Sequence, residues 1–369
     1  MEINEKLTRE KSIVVEGSRL SSINKERLSE LVCENINWEK VFEYAMRNKV
    51  LYVLFRNLQD CELDKYIPES LKKLLEDSMR CNVIRNNAKF LELEIICKKL
   101  EENNIKIVPV KGAYMIDNIY QNRAIRTTND IDALIRKSDI PKLDHIMQEL
   151  GYSSDKYDAV TGEFVKRSSV ERMLYKTKMY NLLPYVKVLQ QPIDMKVMFD
   201  FSHSLDFGLS SEPVQEMIES SHLENYIRMM LPEHYFIHMC CHHYREASHV
   251  EWMKIGKDLN LIKFCDVREF ILHKMNDERL KNAIEFAKKY NLENAVYFVL
   301  YYLDIIYGDG YEKEWMAKLE INNDSFVHMF GDDSKEKKYV RRKEFWDSFF
   351  DSDNSDEIVN KPKYDEVME

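Results

Sequence analysis

Residues 105–112 read IKIVPVKG, and residues 126–135 read RTTNDIDALI. The first run is typical of a short β-strand that ends at Lys111-Gly112, and a helical stretch follows over residues 113–119. The second run contains a strand over residues 130–135, as its alternation and β-branched residues indicate. A strand, a short helix and another strand therefore begin a small α/β core.

The elements around this core define the fold class. Ser138 has the character of an N-cap for a helix with Pro141 in its first turn and its end at Gly151. Further strand candidates lie near residues 163–170, 179–189 and 192–199. Apolar residues recur at helical spacing on both flanks, and the scarcity of glycine (9) and proline (8) also favours helices. We expect an α+β fold, with a small mixed sheet flanked by N- and C-terminal helical regions.

Changes in residue pattern along the chain predict four regions. Residues 1–104 form an N-terminal helical region, and residues 105–205 form the α/β core. Residues 206–310 form a C-terminal helical domain, with helices predicted over 231–244, 252–264, 278–290 and 292–307. Residues 311–369 are expected to be an acidic, partly ordered tail whose aromatic residues pack on the rest of the protein.

Composition limits the partners and the compartment. The net charge of −10 disfavours a nucleic-acid partner, because such binding gains affinity from an excess of lysine and arginine. A small substrate is favoured over a polymer. The seven cysteines lack CxxC spacing, which indicates reduced thiols. No secretory signal or membrane-spanning stretch is evident, so we expect a soluble cytoplasmic protein without a membrane partner.

The chemistry is suggested first by Asp130 and Asp132. Residues i and i+2 of a strand face the same way, so the two carboxylates project together while Ile131 enters the core. Carboxylates so close ionise together only if a cation lies between them, and hard oxygen ligands select Mg²⁺ or Mn²⁺. The alternative without a catalytic role is that Asp130 and Asp132 lie at a solvated strand end and cap it or pair with Arg126.

A third carboxylate is expected to complete the metal site. Asp194 is the first choice, because it lies within a predicted strand where a buried charge would otherwise be unfavourable. Asp200 and Asp206 are the next choices. An ordinary ion pair between Asp194 and Lys196 is the competing interpretation.

A nucleotide-binding turn is predicted upstream of the aspartates. Gly112 lets the backbone approach a phosphate at the start of a helix, and Lys111 adds a point charge. Arg126 could bind a triphosphate through its guanidinium group or neutralise the carboxylates. Lys111 and Arg126 as plain surface charges remain the alternative.

These motifs resemble a known family. The sequence VPVKGA at residues 108–113, RTTNDIDALI at 126–135 and LGY at 150–152 is similar to the uncharacterised bacterial nucleotidyltransferase family of the polymerase-β-like superfamily. The likeness covers about residues 70 to 300. It implies a transferase with Asp130, Asp132 and Asp194 as catalytic metal ligands. Gly112 is followed by Ala113, where the superfamily prefers serine or glycine, so a hydroxyl contact to phosphate is missing at that position.

Three functions compete. The leading one is transfer of a nucleoside monophosphate from a nucleoside triphosphate such as ATP to an acceptor, either a small molecule or a protein. The second is a catalytically inactive relative that binds nucleotide or a partner protein. The third is a metal-dependent hydrolase built on His234, His238 and His242, which recur every four residues. For these histidines, packing in a helical core is the favoured interpretation.

Overall fold

Two compact units make up the chain in the computed structural model. The structure describes residues 7–32, 35–208, 210–331 and 338–351. The core unit comprises residues 77–235, and the helical unit comprises residues 1–76 and 236–369. No helix in the described ranges is long and apolar enough to cross a membrane.

Helices dominate the structure, and strands concentrate in the core unit. The helices are α1 (Arg9–Glu16), α2 (Lys25–Leu31), α3 (Trp38–Arg47), α4 (Leu51–Asp60), α5 (Glu69–Glu102), α6 (Gly112–Met115), α7 (Ile140–Glu149), α8 (Ser169–Lys178), α9 (Glu212–Glu219), α10 (Pro232–Ala247), α11 (Val250–Lys254), α12 (Leu261–Lys274), α13 (Asp277–Tyr290), α14 (Glu293–Ile306), α15 (Glu312–Lys318) and α16 (Phe345–Phe350). The strands are β1 (Ile107–Val110), β2 (Ile131–Ile135), β3 (Lys156–Asp158), β4 (Glu163–Val165), β5 (Tyr185–Leu189), β6 (Met195–Ser202), β7 (His222–Glu224), β8 (Ile227–Met229), β9 (Met329–Gly331) and β10 (Lys338–Val340). A π-helical segment, Ile116–Tyr120, continues α6.

The main sheet has four strands in the order β1-β2-β6-β5. Strand β2 pairs antiparallel with β1 and parallel with β6, and β5 pairs antiparallel with β6. The sheet is therefore mixed, and helices flank it in sequence on both sides. This arrangement confirms the predicted α+β fold class.

One face of this sheet forms the core of the unit. Ile131, Ala133 and Ile135 alternate along β2 toward a cluster that also contains Phe199 and Phe201 of β6. Buried residues of α5 and α7 complete the cluster: Phe90, Leu93, Ile96, Leu100, Leu143, Ile146 and Met147. Strand alternation then turns the even-numbered residues of β2 to the opposite face.

The units divide the chain differently from the four predicted regions. The core unit begins within α5 and ends at Tyr235, whereas the predicted core spans residues 105–205. The difference arises because the C-terminal half of α5 contributes buried residues to the core beneath the sheet. The predicted domain boundaries therefore remain a sequence interpretation.

Two predicted elements outside the main sheet differ from the structure. The strand expected near 163–170 is only three residues long, and helix α8 occupies much of the following segment. The helix expected at 252–264 is divided, because α11 ends at Lys254 and α12 begins at Leu261. Gly256 lies in this break with φ of 62°, a conformation that ends helices.

Aromatic residues near the C-terminus pack within the helical unit. Phe349 is fully buried and contacts the ring of Phe264, while Phe345 stacks on Tyr302 with 5.0 Å between ring centroids. The part of the predicted tail at residues 332–337 and 352–369 lies outside the described residues. The six cysteines that the structure describes are free thiols.

The Gly151-Tyr152 motif has a structural role in the core unit. The Tyr152 hydroxyl donates to Glu92 Oε2 on α5 at 2.8 Å, and Lys187 Nζ on β5 donates to both oxygens of Glu92 at 3.0 Å. Glu92 is buried, so these two donors replace the water that would otherwise solvate its carboxylate. Tyr152 thereby links α5 to the sheet.

We expect Tyr152→Phe to lower the free energy of unfolding by about 2 kcal/mol, because a hydrogen bond to a buried carboxylate is lost. Urea denaturation followed by circular dichroism measures the change. Tyr157→Phe, on the exposed hairpin of β3 and β4, is the matched control and should change the stability by less than about 0.5 kcal/mol. Equal stability of Tyr152→Phe and wild type would contradict this role.

Candidate active site

Strand pairing brings two carboxylates side by side. Asp132 of β2 lies opposite Asp200 of β6 in the parallel register, and neighbouring strands are about 4.8 Å apart. Asp132 is only 9% exposed, while Asp200 is half-buried. Asp130, also half-buried, directly precedes β2. The site therefore combines the predicted aspartate pair with Asp200.

The structure does not bring Asp194 to this group. Asp194 is exposed and lies before the first residue of β6, six residues from Asp200. At the rise of a strand, six residues span roughly 20 Å. The predicted strand at 192–199 began three residues too early, which is why it placed Asp194 rather than Asp200 in its middle. Asp206, the other alternative, lies beyond the end of β6.

Lys111 pairs with the buried carboxylate. Its Nζ donates to Asp132 Oδ1 at 2.7 Å, because Val110 at the end of β1 is the register partner of Asp132. The Lys111 backbone has φ of 52° and ψ of −130°, a conformation that non-glycine residues rarely adopt. Such strain is most often retained at functional sites. Gly112 follows at once and begins α6.

Burial and neighbouring charges make Asp132 an unusual carboxylate. The pKa of Asp132 is raised to about 7: burial is the largest cause, Lys111 opposes the shift, and the charges of Asp130 and Asp200 add to it. One lysine therefore does not fully compensate the group of carboxylates. An additional cation at this position would favour the ionised form.

The donor atoms fit a divalent cation in an open site. Within the described residues, no three His, Cys, Asp or Glu side chains already form a metal-binding cluster. Mg²⁺ rarely needs a complete protein cage, since it keeps several waters and binds one or two carboxylates together with substrate phosphates. Asp132 and Asp200, with Asp130 beside them, supply hard oxygen ligands of this kind.

Arg126 contacts its own loop and helix α5. Its guanidinium group donates to the carbonyl of Thr127, and its own carbonyl accepts a hydrogen bond from Asn86 Nδ2 at 2.9 Å. The residue thus belongs to the loop that leads into Asp130. Its predicted role in triphosphate binding stays a prediction.

Asp200 has neighbours that sequence reasoning missed. Asn181 Nδ2 donates to Asp200 Oδ1 at 3.0 Å, and Asn181 is buried. Burial raises the pKa of the Tyr175 hydroxyl on α8, and the charge of Asp200 adds to that shift. Tyr175 and Asn181 therefore both lie near Asp200 of β6. No local motif marks either residue.

The histidines of α10 are mainly buried. His234, His238 and His243 are each at most 6% exposed. Nδ1 of His234 lies 3.2 Å from Ser220 Oγ, and His242 Nε2 lies 3.5 Å from Glu246 Oε1. These contacts agree with a packing role. The described residues include no metal-binding group that uses them.

A cavity of about 570 Å³ in the core unit is separate from the carboxylates. It is lined by α5, by the segment from α6 into the π-helix, and by the β7–β8 hairpin. Pro109 lines it and pairs with Ala133, which faces the hydrophobic core. Asp132 points to the opposite face, so this cavity is not the carboxylate site.

Sequence comparison assigns a family to the chain. A family model described as "Uncharacterised nucleotidyltransferase" matches residues 34–308. The match includes the whole core unit and therefore all the residues of the candidate site. Nothing matches among curated proteins or solved structures.

Proposed function

The chain belongs to this family of uncharacterised nucleotidyltransferases, and we propose that it moves a nucleoside monophosphate from a triphosphate to an acceptor in a reaction that requires Mg²⁺ or Mn²⁺. The observation that carries the metal requirement is the pairing of Asp132 with Asp200 on adjacent strands. Asp130 adds a third carboxylate, and Lys111 lies within hydrogen-bonding distance of Asp132. The sequence motifs favour a polymerase-β-like core.

The residues on the two sides of the site would have different roles in the reaction. Lys111 and the turn at Gly112 lie on the β1 side and would bind the triphosphate. Asp130, Asp132 and Asp200 would hold the cation, which supplies charge neutralisation for the triphosphate and its leaving group. Arg126, whose guanidinium group donates to the carbonyl of Thr127, would contribute to binding of the phosphates.

The acceptor is expected on the β6 side, where Asp200 and Asn181 lie. Its hydroxyl oxygen attacks the α-phosphorus, a new P–O bond forms, and the bond to pyrophosphate breaks. Asp200 is the carboxylate placed to take the proton of that hydroxyl, because it lies farthest from the β1 side. The net charge of −10 favours a small molecule or a protein as acceptor over nucleic acid.

Triphosphate binding should depend on the divalent cation. The bare carboxylates repel a triphosphate, so we expect excess chelator to weaken ATP binding at least tenfold, which is about 1.4 kcal/mol. Calorimetry with each of the four triphosphates, with and without Mg²⁺, measures this effect. Asp132→Asn should show weak binding in both conditions, and Asp194→Asn serves as the matched control. Equal affinity with and without chelator would contradict the metal site.

Detection of a transfer product tests catalysis directly. Incubation with the four triphosphates and Mg²⁺, followed by mass spectrometry of a metabolite and protein mixture, should reveal an acceptor heavier by one nucleoside monophosphate. Metal-dependent triphosphate binding without any transfer product would instead favour the catalytically inactive relative. Gly112-Ala113, which lacks a hydroxyl at the second position, is the feature that keeps this second function open.

A further inference from the structure

The predicted phosphate-binding turn and the metal-binding loop meet at one side chain. A Cβ atom placed on Gly112 would lie 2.7 Å from Thr128 Oγ1 and 2.9 Å from Thr128 Cβ. Thr128 Oγ1 also donates to the carbonyl of Asp130 at 2.7 Å. The same threonine thus contacts the turn at Gly112 and the residue that begins the aspartate pair.

A buried lysine of α5 holds this threonine through its backbone carbonyl. Lys89 on α5 is 6% exposed, and its Nζ donates to the carbonyl of Thr128. Burial lowers the pKa of Lys89, while the charge of Asp130 opposes that shift, so the ammonium group lies within electrostatic range of the site. Burial of a lysine ammonium group costs free energy. Its hydrogen bond to the Thr128 carbonyl offsets part of that cost and holds the loop in one conformation.

Two asparagines extend the same support along α5. Asn86 Nδ2 donates to the carbonyls of Arg123 and Arg126 at 2.8 and 2.9 Å, and Asn82 Nδ2 donates to that of Ala124 at 2.8 Å. Both asparagines are buried. Residues 82, 86 and 89 lie on one helical face, so α5 fixes the loop from residue 123 to residue 128.

We propose that Thr128, held by Lys89, is a positioning residue that fixes the triphosphate turn at Gly112 relative to the metal ligands at Asp130 and Asp132. The inference rests on the proposed function. It assigns to Thr128 the polar side chain beside this turn that Ala113 does not provide, since Ala113 is buried in the hydrophobic core. Thr128 is therefore expected to affect the binding of the metal–triphosphate complex rather than the binding of the metal ion alone.

Thr128→Val tests the hydroxyl, because valine keeps the shape of threonine and removes only that group. We expect Mg²⁺–ATP to bind about tenfold more weakly, the typical effect of one hydrogen bond. Mn²⁺ alone, measured by electron paramagnetic resonance, should bind within about twofold of wild type. Thr128→Ser should keep the wild-type affinity for Mg²⁺–ATP.

Lys89→Met tests the support beneath the threonine. It should also weaken Mg²⁺–ATP binding about tenfold, and Lys89→Arg should retain part of the affinity. Because Lys89 is proposed to act only by holding Thr128 in place, the double variant Lys89→Met/Thr128→Val should bind no more weakly than Thr128→Val alone. Lys99→Met is the control, since Lys99 lies on the same helix and pairs with Glu149 at 3.2 Å instead.

Several results would overturn the inference. Wild-type affinity in Thr128→Val would do so, as would an equal loss in Thr128→Ser, because the hydroxyl would then be irrelevant. Additive losses in the double variant would show two independent roles. Failure of the wild-type protein to bind Mg²⁺–ATP would reject the proposed function itself, whereas normal wild-type binding with an unaffected Thr128→Val rejects only this inference. If Lys89→Met does not fold, Thr128→Val and Thr128→Ser still decide.

Discussion

Asp200→Asn should slow nucleotidyl transfer about 1,000-fold, equivalent to ~4 kcal/mol of lost transition-state stabilisation. The reason is the register of β2 and β6, which places Asp200 beside Asp132. Asparagine keeps the size and the hydrogen bond to Asn181 but removes the charge and the proton acceptor. Asp194→Asn should remain within about twofold of wild type, because Asp194 is exposed and distant from the site.

The two variants form a matched pair, since Asp200 lies in β6 and Asp194 directly precedes that strand. Single-turnover transfer of label from an α-labelled triphosphate to the acceptor found by mass spectrometry measures the rate. Mn²⁺ affinity, which needs no acceptor, provides a second readout and should fall in Asp200→Asn only. The opposite pattern, an active Asp200→Asn and an inactive Asp194→Asn, would identify Asp194 as the third carboxylate, as the sequence predicts.

This pair also shows where the sequence was sufficient and where it was not. Asp130 and Asp132 could be identified because their spacing within one strand is a local property, and the strand itself was confirmed as β2. The third carboxylate depends on how β6 aligns with β2. Register is set by non-local packing, and a shift of a few residues changes which side chain meets Asp132. Several aspartates near one strand cannot be distinguished without it.

The supporting residues were hidden for the same reason. Lys89 and Asn86 lie about forty residues before the loop that they hold, on a helix whose pattern predicted only apolar packing. Asn181 lies in a segment that alternation assigned to a strand, whereas it forms an isolated bridge before β5. Long helices and the overall α+β class were predictable from periodicity. Polar contacts between distant segments were not.

The metal-free protein should be more stable at pH 8 when Asp132 is replaced by asparagine. The pKa of Asp132 is raised to about 7 by its burial and by Asp130 and Asp200, against an ordinary value near 4 in the unfolded chain. The folded protein therefore holds a proton that the unfolded chain has released between these two pH values. The contribution of Asp132 to the free energy of unfolding therefore falls as the pH rises through that window, and it is constant above the window.

Asp132→Asn removes this penalty because asparagine does not ionise. Its advantage over wild type should be absent below pH 4, grow between pH 4 and 7, and reach at most about 4 kcal/mol above pH 7. The lost ion pair with Lys111 is already included, since Lys111 acts to lower the same pKa. Urea denaturation in excess chelator, repeated from pH 4 to pH 8, measures the difference.

Adding Mg²⁺ should reverse the order of stability. The cation binds the ionised carboxylates of the wild-type protein and stabilises the folded state by mass action, while Asp132→Asn has lost a ligand. Asp194→Asn should follow wild type in both conditions. A wild-type protein that is more stable than Asp132→Asn at pH 8 in chelator would mean that Lys111 alone compensates Asp132. Ionisation of the buried Asp132 would then not be unfavourable, and the site would need no further cation.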